Sequence, residues 1–150
     1  MTTTTTSVLE AVRELGAQRE RILHELSTLS EADLGSRGQW GGVERNVNFL
    51  LRTYSLHELD HLQHVHKLLA ARGRRFSEAQ ILLSKAQALR GELTALLLSL
   101  SDEEFEATGP NAEDWSVHQV VDHLLHVDAM YAGNIKKAVD QGRAGAPATA

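Results

Sequence analysis

Four histidines fall within ten positions of the chain, in the segment SLHELDHLQHVH at 55–66. The first two, His57 and His61, belong to HELDH, which has the form HExxH. Two imidazoles four residues apart share one face of a helix and can bind a metal ion, and Glu58 between them can act as a general base. The segment therefore predicts a metalloprotease helix, a metal site of another kind, or a histidine-rich surface.

The positions of these histidines on a helical wheel separate candidate ligands from surface residues. At about 100° per residue, His57, His61 and His64 lie on the apolar face of their helix, whereas His66 lies on the opposite side. Burying an imidazole is costly unless it finds a partner, and one metal ion would serve two or three of them. The alternative is that they are core histidines with ordinary hydrogen bonds.

A further ligand is expected from the last helix of the sequence. His123 lies on the apolar face of that helix and His126 at the edge of the face. His118 points outward and His24 is expected to be partly exposed, so neither is a predicted ligand. The predicted metal ligands are His57, His61 and His123. Three nitrogens with an open position suit catalytic zinc, with nickel or iron(II) as alternatives.

Proteolysis is disfavoured by the surroundings of HELDH. Glu58 lies at the margin of the apolar face. The extended zinc-protease motif would need a glycine and a histidine at 64 and 67, where this chain has His64 and Lys67. No strand is predicted that could bind a peptide by edge addition.

Length and composition favour one domain, 1–150, of ordinary globular character. The 150 residues are 42% hydrophobic and 23% charged, and the net charge is −5. This charge argues against a nucleic-acid or membrane partner. Without cysteine, thiolate ligands and disulfides are excluded. The N-terminus does not resemble a secretory signal and no apolar run could span a bilayer, so a cytoplasmic protein is expected.

Apolar spacing of three and four residues predicts four helices, near 7–29, 42–71, 77–100 and 115–140. Capping boxes are predicted at Ser77–Gln80 and Ser116–Gln119, and short helical turns at Ser30–Asp33 and Ser101–Glu104. The ends, 1–6 and 142–150, are expected to be disordered.

The sequence also contains an internal repeat. LSTLSEADL at 26–34 aligns with LLSLSDEEF at 97–105, and each copy is followed by a loop and a tryptophan. Trp40 and Trp115 are predicted to open the second and fourth helices and to fill apolar volume at one end of a bundle, with ligand stacking as the alternative.

The positions of the three predicted ligands along their helix axes constrain the order and direction of the helices. If the second and fourth predicted helices ran parallel, His123 would lie roughly 10–16 Å along the axis from His57 and His61. Antiparallel helices bring the three to one level. The predicted fold is therefore an all-α four-helix bundle with helices 2 and 4 antiparallel and a crossover between helices 2 and 3 at ARGRRFS, 71–77.

This pattern resembles the DinB-like (YfiT-like) superfamily of four-helix proteins with a three-histidine metal site. The resemblance rests on Trp115-Ser116-Val117 followed by Val121-Asp122-His123-Leu124, and on His57-Glu58-Leu59-Asp60-His61. It covers roughly 8–140. Family members commonly carry the single histidine on helix 2 and the pair on helix 4, whereas here the pair comes first.

The resemblance implies a metal-dependent enzyme, either a transferase that uses a low-molecular-weight thiol such as bacillithiol or mycothiol, or a hydrolase. His64 or Glu58 would be the proton acceptor, and Asp60 or Glu58 would orient a ligand. A small-molecule substrate and a homodimer are expected. The alternative is a non-catalytic stress-related or interaction protein with the same fold.

Overall fold

Helix accounts for most of the structure, as the sequence predicts. The computed structural model describes residues 7–111 and 113–144, and it divides into two compact units, Met1–Ser99 and Leu100–Ala150, which are described separately. The first unit contains α1 (Val8–Leu26), a 3-10 helix (Glu31–Gly35), β1 (Arg37–Trp40), β2 (Val43–Asn46), α2 (Val47–Ala71) and α3 (Glu78–Leu97). The second unit contains α4 (Asp102–Glu106) and α5 (Val117–Ala144).

Side-chain caps determine where the helices begin. The first N–H groups of a helix lack partners within the helix, and a serine hydroxyl at the start can accept from one of them. Reciprocal hydrogen bonds confirm the predicted boxes Ser77–Gln80 and Ser116–Gln119. Ser101–Glu104 forms a third box at the start of α4. The predicted turn at Ser30–Asp33 is the 3-10 helix, where the Asp33 carboxylate accepts from the Ser30 backbone N–H at 2.8 Å.

The predicted start of helix 2 near residue 42 is wrong, because a β-hairpin occupies that segment. β1 and β2 pair antiparallel from Arg37–Asn46 to Trp40–Val43. The two residues between them, Gly41 and Gly42, have φ angles of 57° and 78°. Positive φ at both positions is the geometry of a tight hairpin turn, which glycine adopts without steric cost. The helix starts at Val47 instead, where Asn46 Oδ1 accepts from the Phe49 N–H at 2.9 Å.

Because α2 starts later than predicted, the positions of the histidines along α2 and α5 no longer favour an antiparallel over a parallel arrangement of these helices. His57 and His61 follow the first residue of α2 by 10 and 14 residues and precede its last by 14 and 10. His123 follows the first residue of α5 by 6 residues. The axial offset is therefore four to eight residues in either direction, and the bundle topology stays a prediction.

The predicted burial of apolar faces is not seen among the described residues. None of their hydrophobic side chains is fully buried, and Ser116 is the one buried residue among them. Trp40 is 58% exposed and Trp115 54% exposed, so the expectation that both are buried is wrong. Trp40 also lies in β1 and does not open a helix. The elements that contact α2 most are two short ones, the 3-10 helix and β2.

The described helices extend slightly beyond one predicted end. α5 continues to Ala144, so residues 142–144 are helical and not part of a tail. The other residues of the predicted disordered ends, 1–6 and 145–150, lie outside the described ranges. Within 7–111 and 113–144, none of the helices combines the length and hydropathy that crossing a membrane requires.

Replacing Ser116 with alanine should destabilise the second unit by about 1 kcal/mol. Its hydroxyl accepts from the Gln119 N–H at 3.1 Å, and the residue is 4% exposed, so water cannot easily replace this bond. Urea denaturation followed by far-UV circular dichroism measures the loss. The matched control is Ser99→Ala, whose hydroxyl donates to the Leu96 carbonyl at the end of a helix and does not cap a helix start. Equal losses in both variants would contradict the capping role.

Candidate metal centre

His57 and His61 bring their ring nitrogens together on one face of α2. Their Nε2 atoms lie 2.9 Å apart, and the ring centroids lie 4.5 Å apart at an interplanar angle of 66°. The four-residue spacing causes this approach, because it stacks the two side chains one helical turn apart. Without a metal, one ring donates and the other accepts.

The same geometry fits two ligands of a divalent ion. Tetrahedral zinc with Zn–N bonds of 2.0–2.1 Å holds its nitrogens about 3.3 Å apart. The observed separation needs to widen by a few tenths of an ångström, which small side-chain rotations provide. The chain has no cysteine, so imidazole and carboxylate are the metal-binding side chains available.

The burial predicted for this histidine face is wrong in the described structure. His57, His61 and His64 are all exposed. No hydrogen bond or ion pair joins His64 to another described residue. His66 is exposed, as predicted, and packs edge-on against Phe76 with ring centroids 5.2 Å apart.

Glu58 is held by an arginine that the sequence places among apolar residues of α1. Arg19 Nη2 donates to Glu58 Oε2 at 2.6 Å, and its guanidinium lies 4.8 Å from the centroid of the Tyr54 ring. The two contacts join α1 to α2 one residue from His57. Because one oxygen of Glu58 is paired, His64 is the less encumbered of the two predicted proton acceptors.

An apolar cavity of about 480 Å³ lies beside the histidine pair, and His57 forms part of its wall. This volume is within the range of small-molecule pockets. Trp40 and Tyr54 also contact the cavity, so aromatic faces are available to a bound molecule. The remaining wall comes from Ile22, Leu26, Leu29, Val47, Leu50, Leu51 and Thr53. Helical periodicity does not reveal this cavity, because residues of α1, β1 and α2 form its wall together.

The third predicted ligand, His123, lies in the other unit. It is exposed on α5, and its ring packs edge-on against Trp115 with centroids 5.1 Å apart and an interplanar angle of 66°. Trp115 lies in the loop before α5, and His123, eight residues later, lies in the second turn of this helix. Across 7–111 and 113–144, no group of three or more histidines or carboxylates is arranged to hold a metal ion. The three-ligand set of His57, His61 and His123 therefore stays a prediction.

His118, which is not a predicted metal ligand, has one carboxylate neighbour on α4 and another on α5. His118 Nδ1 lies 2.8 Å from Glu106 Oε1, and its Nε2 lies 3.6 Å from Asp122 Oδ2. The ring stacks on Phe105 with centroids 5.0 Å apart. The four-residue spacing of His118 and Asp122 on one helix indicates their pairing from sequence alone. The pairing of His118 with Glu106 depends on how the loop between α4 and α5 folds back.

His118 should make the stability of the metal-free protein depend on pH. The hydrogen bond to Glu106 and then the charge of Glu106 raise the pKa of His118 above its usual 6.5; burial opposes this rise, and the charge of Asp122 adds a lesser increase. A raised pKa means that folding favours the protonated ring. The stabilisation is therefore full below about pH 6.5 and is lost as the pH rises through the higher folded-state pKa.

Thermal unfolding of His118→Gln and wild type across this range measures the effect. The difference in melting temperature should be largest on the acidic side and shrink toward alkaline pH, and Glu106→Gln should behave similarly. His126→Gln is the matched control, since His126 is exposed on the same helix. A His118→Gln deficit that does not change with pH would contradict the assignment.

Two family models match the chain, one in each half. Residues 2–65 match the model described as DinB superfamily. Residues 86–150 match the model described as mycothiol maleylpyruvate isomerase N-terminal domain. The first match contains the His57–His61 pair, and the second contains Trp115 and His123. No curated protein and no solved structure matches the chain.

Proposed function

Because the chain is a DinB-like superfamily protein, we propose that it is a metal-dependent enzyme whose divalent ion is held by His57, His61 and His123. The observation that carries the proposal is the 2.9 Å separation of the His57 and His61 Nε2 atoms. Zinc is the expected ion, with nickel or iron(II) as alternatives, because three imidazoles with an open position suit it.

The match of residues 86–150 supports a low-molecular-weight thiol as one substrate, with mycothiol as the first candidate. A bound divalent ion would lower the pKa of a coordinated thiol or water, so that a nucleophile forms near neutral pH. The reaction is then transfer or isomerisation at an electrophilic small molecule, or hydrolysis if water takes the position of the thiol. The chain has no thiol of its own, so the sulfur must come from the substrate.

Residues of the chain would bind the substrate, position the helices at the site and accept a proton. The cavity beside His57 binds the apolar part of the acceptor and excludes water from it. Glu58 is fixed by Arg19, so its place is in holding α1 against α2 near the site. His64 accepts the proton at its unprotonated ring nitrogen, since it follows His61 by three residues on the same helix.

The four-helix bundle with α2 and α5 antiparallel is part of this proposal. It is supported by the superfamily resemblance, whose helix order has this arrangement. A three-histidine site also requires α5 to bring His123 to the pair on α2.

Zinc should bind the tag-free, metal-free protein at about one ion per chain and raise its melting temperature. His123→Ala should weaken binding by more than the roughly 10- to 100-fold cost of losing an outer-shell partner, because it removes a ligand. Affinity should also fall at acidic pH, where protons compete for the imidazoles. Isothermal titration calorimetry at several pH values measures both effects.

His66→Ala is the control for surface binding. It removes an imidazole from α2 on the side away from the pair, and zinc affinity should be unchanged. Equal losses for His66→Ala and His123→Ala would show a histidine-rich surface and no site. Absence of bound metal from every preparation would favour the non-catalytic alternative.

Zinc-loaded protein should consume mycothiol or bacillithiol in the presence of an apolar electrophile, and the metal-free protein should not. His64→Gln should lower kcat by about a hundredfold or more, as expected for loss of a general base, while zinc affinity stays the same. Thiol loss followed by mass spectrometry of the adduct measures the reaction. Consumption at the same rate without metal would contradict metal-dependent catalysis.

A further inference from the structure

Trp115 and the loop that carries it have a structural role that the proposed function does not use. Histidine ligands of metals usually donate their second ring N–H to a carboxylate or carbonyl, which fixes the ring. His123 forms no such hydrogen bond with the residues that the structure describes. Its described ring contact is the edge-on packing of Trp115 at 5.1 Å.

The backbone on the C-terminal side of Trp115 is fixed by Ser116. Ser116 is buried and bridges to Thr108 across the loop. Its backbone N–H donates to Gln119 Oε1 at 2.8 Å, which ties the residue after Trp115 to the first turn of α5. The backbone that carries the Trp115 indole is therefore held in place on this side.

The backbone on the N-terminal side is fixed by Asp114. Its carboxylate accepts from the backbone N–H and from the side-chain amide of Asn111, each at 2.9 Å. Gly109 lies so close that an added methyl group would be 2.5 Å from the Asp114 Cβ, and the glycine permits this approach. Both neighbours of Trp115 are thus held by hydrogen bonds, and its own side chain is 54% exposed.

We propose that Trp115 is a positioning residue for His123, holding the imidazole on α5 in the orientation that binds the metal ion. The proposal depends on His123 being a ligand, as in the proposed function. An edge-on aromatic contact restricts the ring of His123 before the metal arrives, so less side-chain freedom is lost on binding.

The test is metal affinity in Trp115→Leu and Trp115→Phe. Trp115→Leu should weaken zinc binding about two- to tenfold. This is the change in dissociation constant that corresponds to the free energy of one aromatic pair. Trp115→Phe keeps an aromatic ring at the position and should restore most of the affinity. Tyr131→Leu, which removes an exposed aromatic ring from α5, is the control and should leave affinity unchanged. Far-UV circular dichroism of each variant checks that the helices remain.

A second measurement uses cobalt(II) in a Trp40→Phe background, where Trp115 is the one remaining tryptophan. Bound cobalt(II) should quench the emission of Trp115, and Trp115→Leu should change the cobalt(II) absorption bands, which report ligand geometry. Unchanged affinity and unchanged bands in Trp115→Leu, with His123→Ala still losing the metal, would overturn the positioning role alone. No quenching, together with no effect of His123→Ala, would overturn the proposed site and the positioning role with it.

Discussion

The unsatisfied N–H groups at the start of each helix are the constraint on which the rest of this structure depends. A serine or asparagine side chain meets that need at Ser7, Asn46, Ser77, Ser101 and Ser116. These residues fix the first turn, and the 3.6-residue period then fixes the direction of every later side chain. A shift of one residue at Asn46 would turn His57 and His61 about 100° around α2. The directions of the candidate metal ligands are therefore set by caps that lie seven or more residues before them.

The sequence predicted the features that local hydrogen bonding and helical spacing determine. The capping boxes, the two short helices of the repeat and the approach of His57 to His61 all depend on residues three or four positions apart. The hairpin was missed although Gly41-Gly42 between two short polar segments is a recognised turn signal. The apolar period of α2 was extended backwards through Val43, whose side chain belongs to a strand.

Contacts between distant residues were beyond sequence reasoning. Arg19 stands among apolar residues of α1, but its partner Glu58 lies 39 positions away, and no local rule selects it. The same holds for His118 and Glu106, which the loop between α4 and α5 brings together. Burial was overestimated for a different reason. Periodicity shows which face of a helix is apolar and does not show what covers that face.

The two halves of the chain connect a short helix to a long helix in different ways, and this difference determines which substitutions each connection tolerates. Each half has a short helix, then a segment that contains a tryptophan, then a long helix. In the first half the loop is a glycine hairpin, and in the second it is a single bridge between Thr108 and Ser116. The hairpin depends on positive φ at Gly41 and Gly42, so tolerance to substitution is lowest at two adjacent backbone positions. The second loop depends on side-chain hydrogen bonds of Asp114 and Ser116, so its tolerance is set by side-chain chemistry.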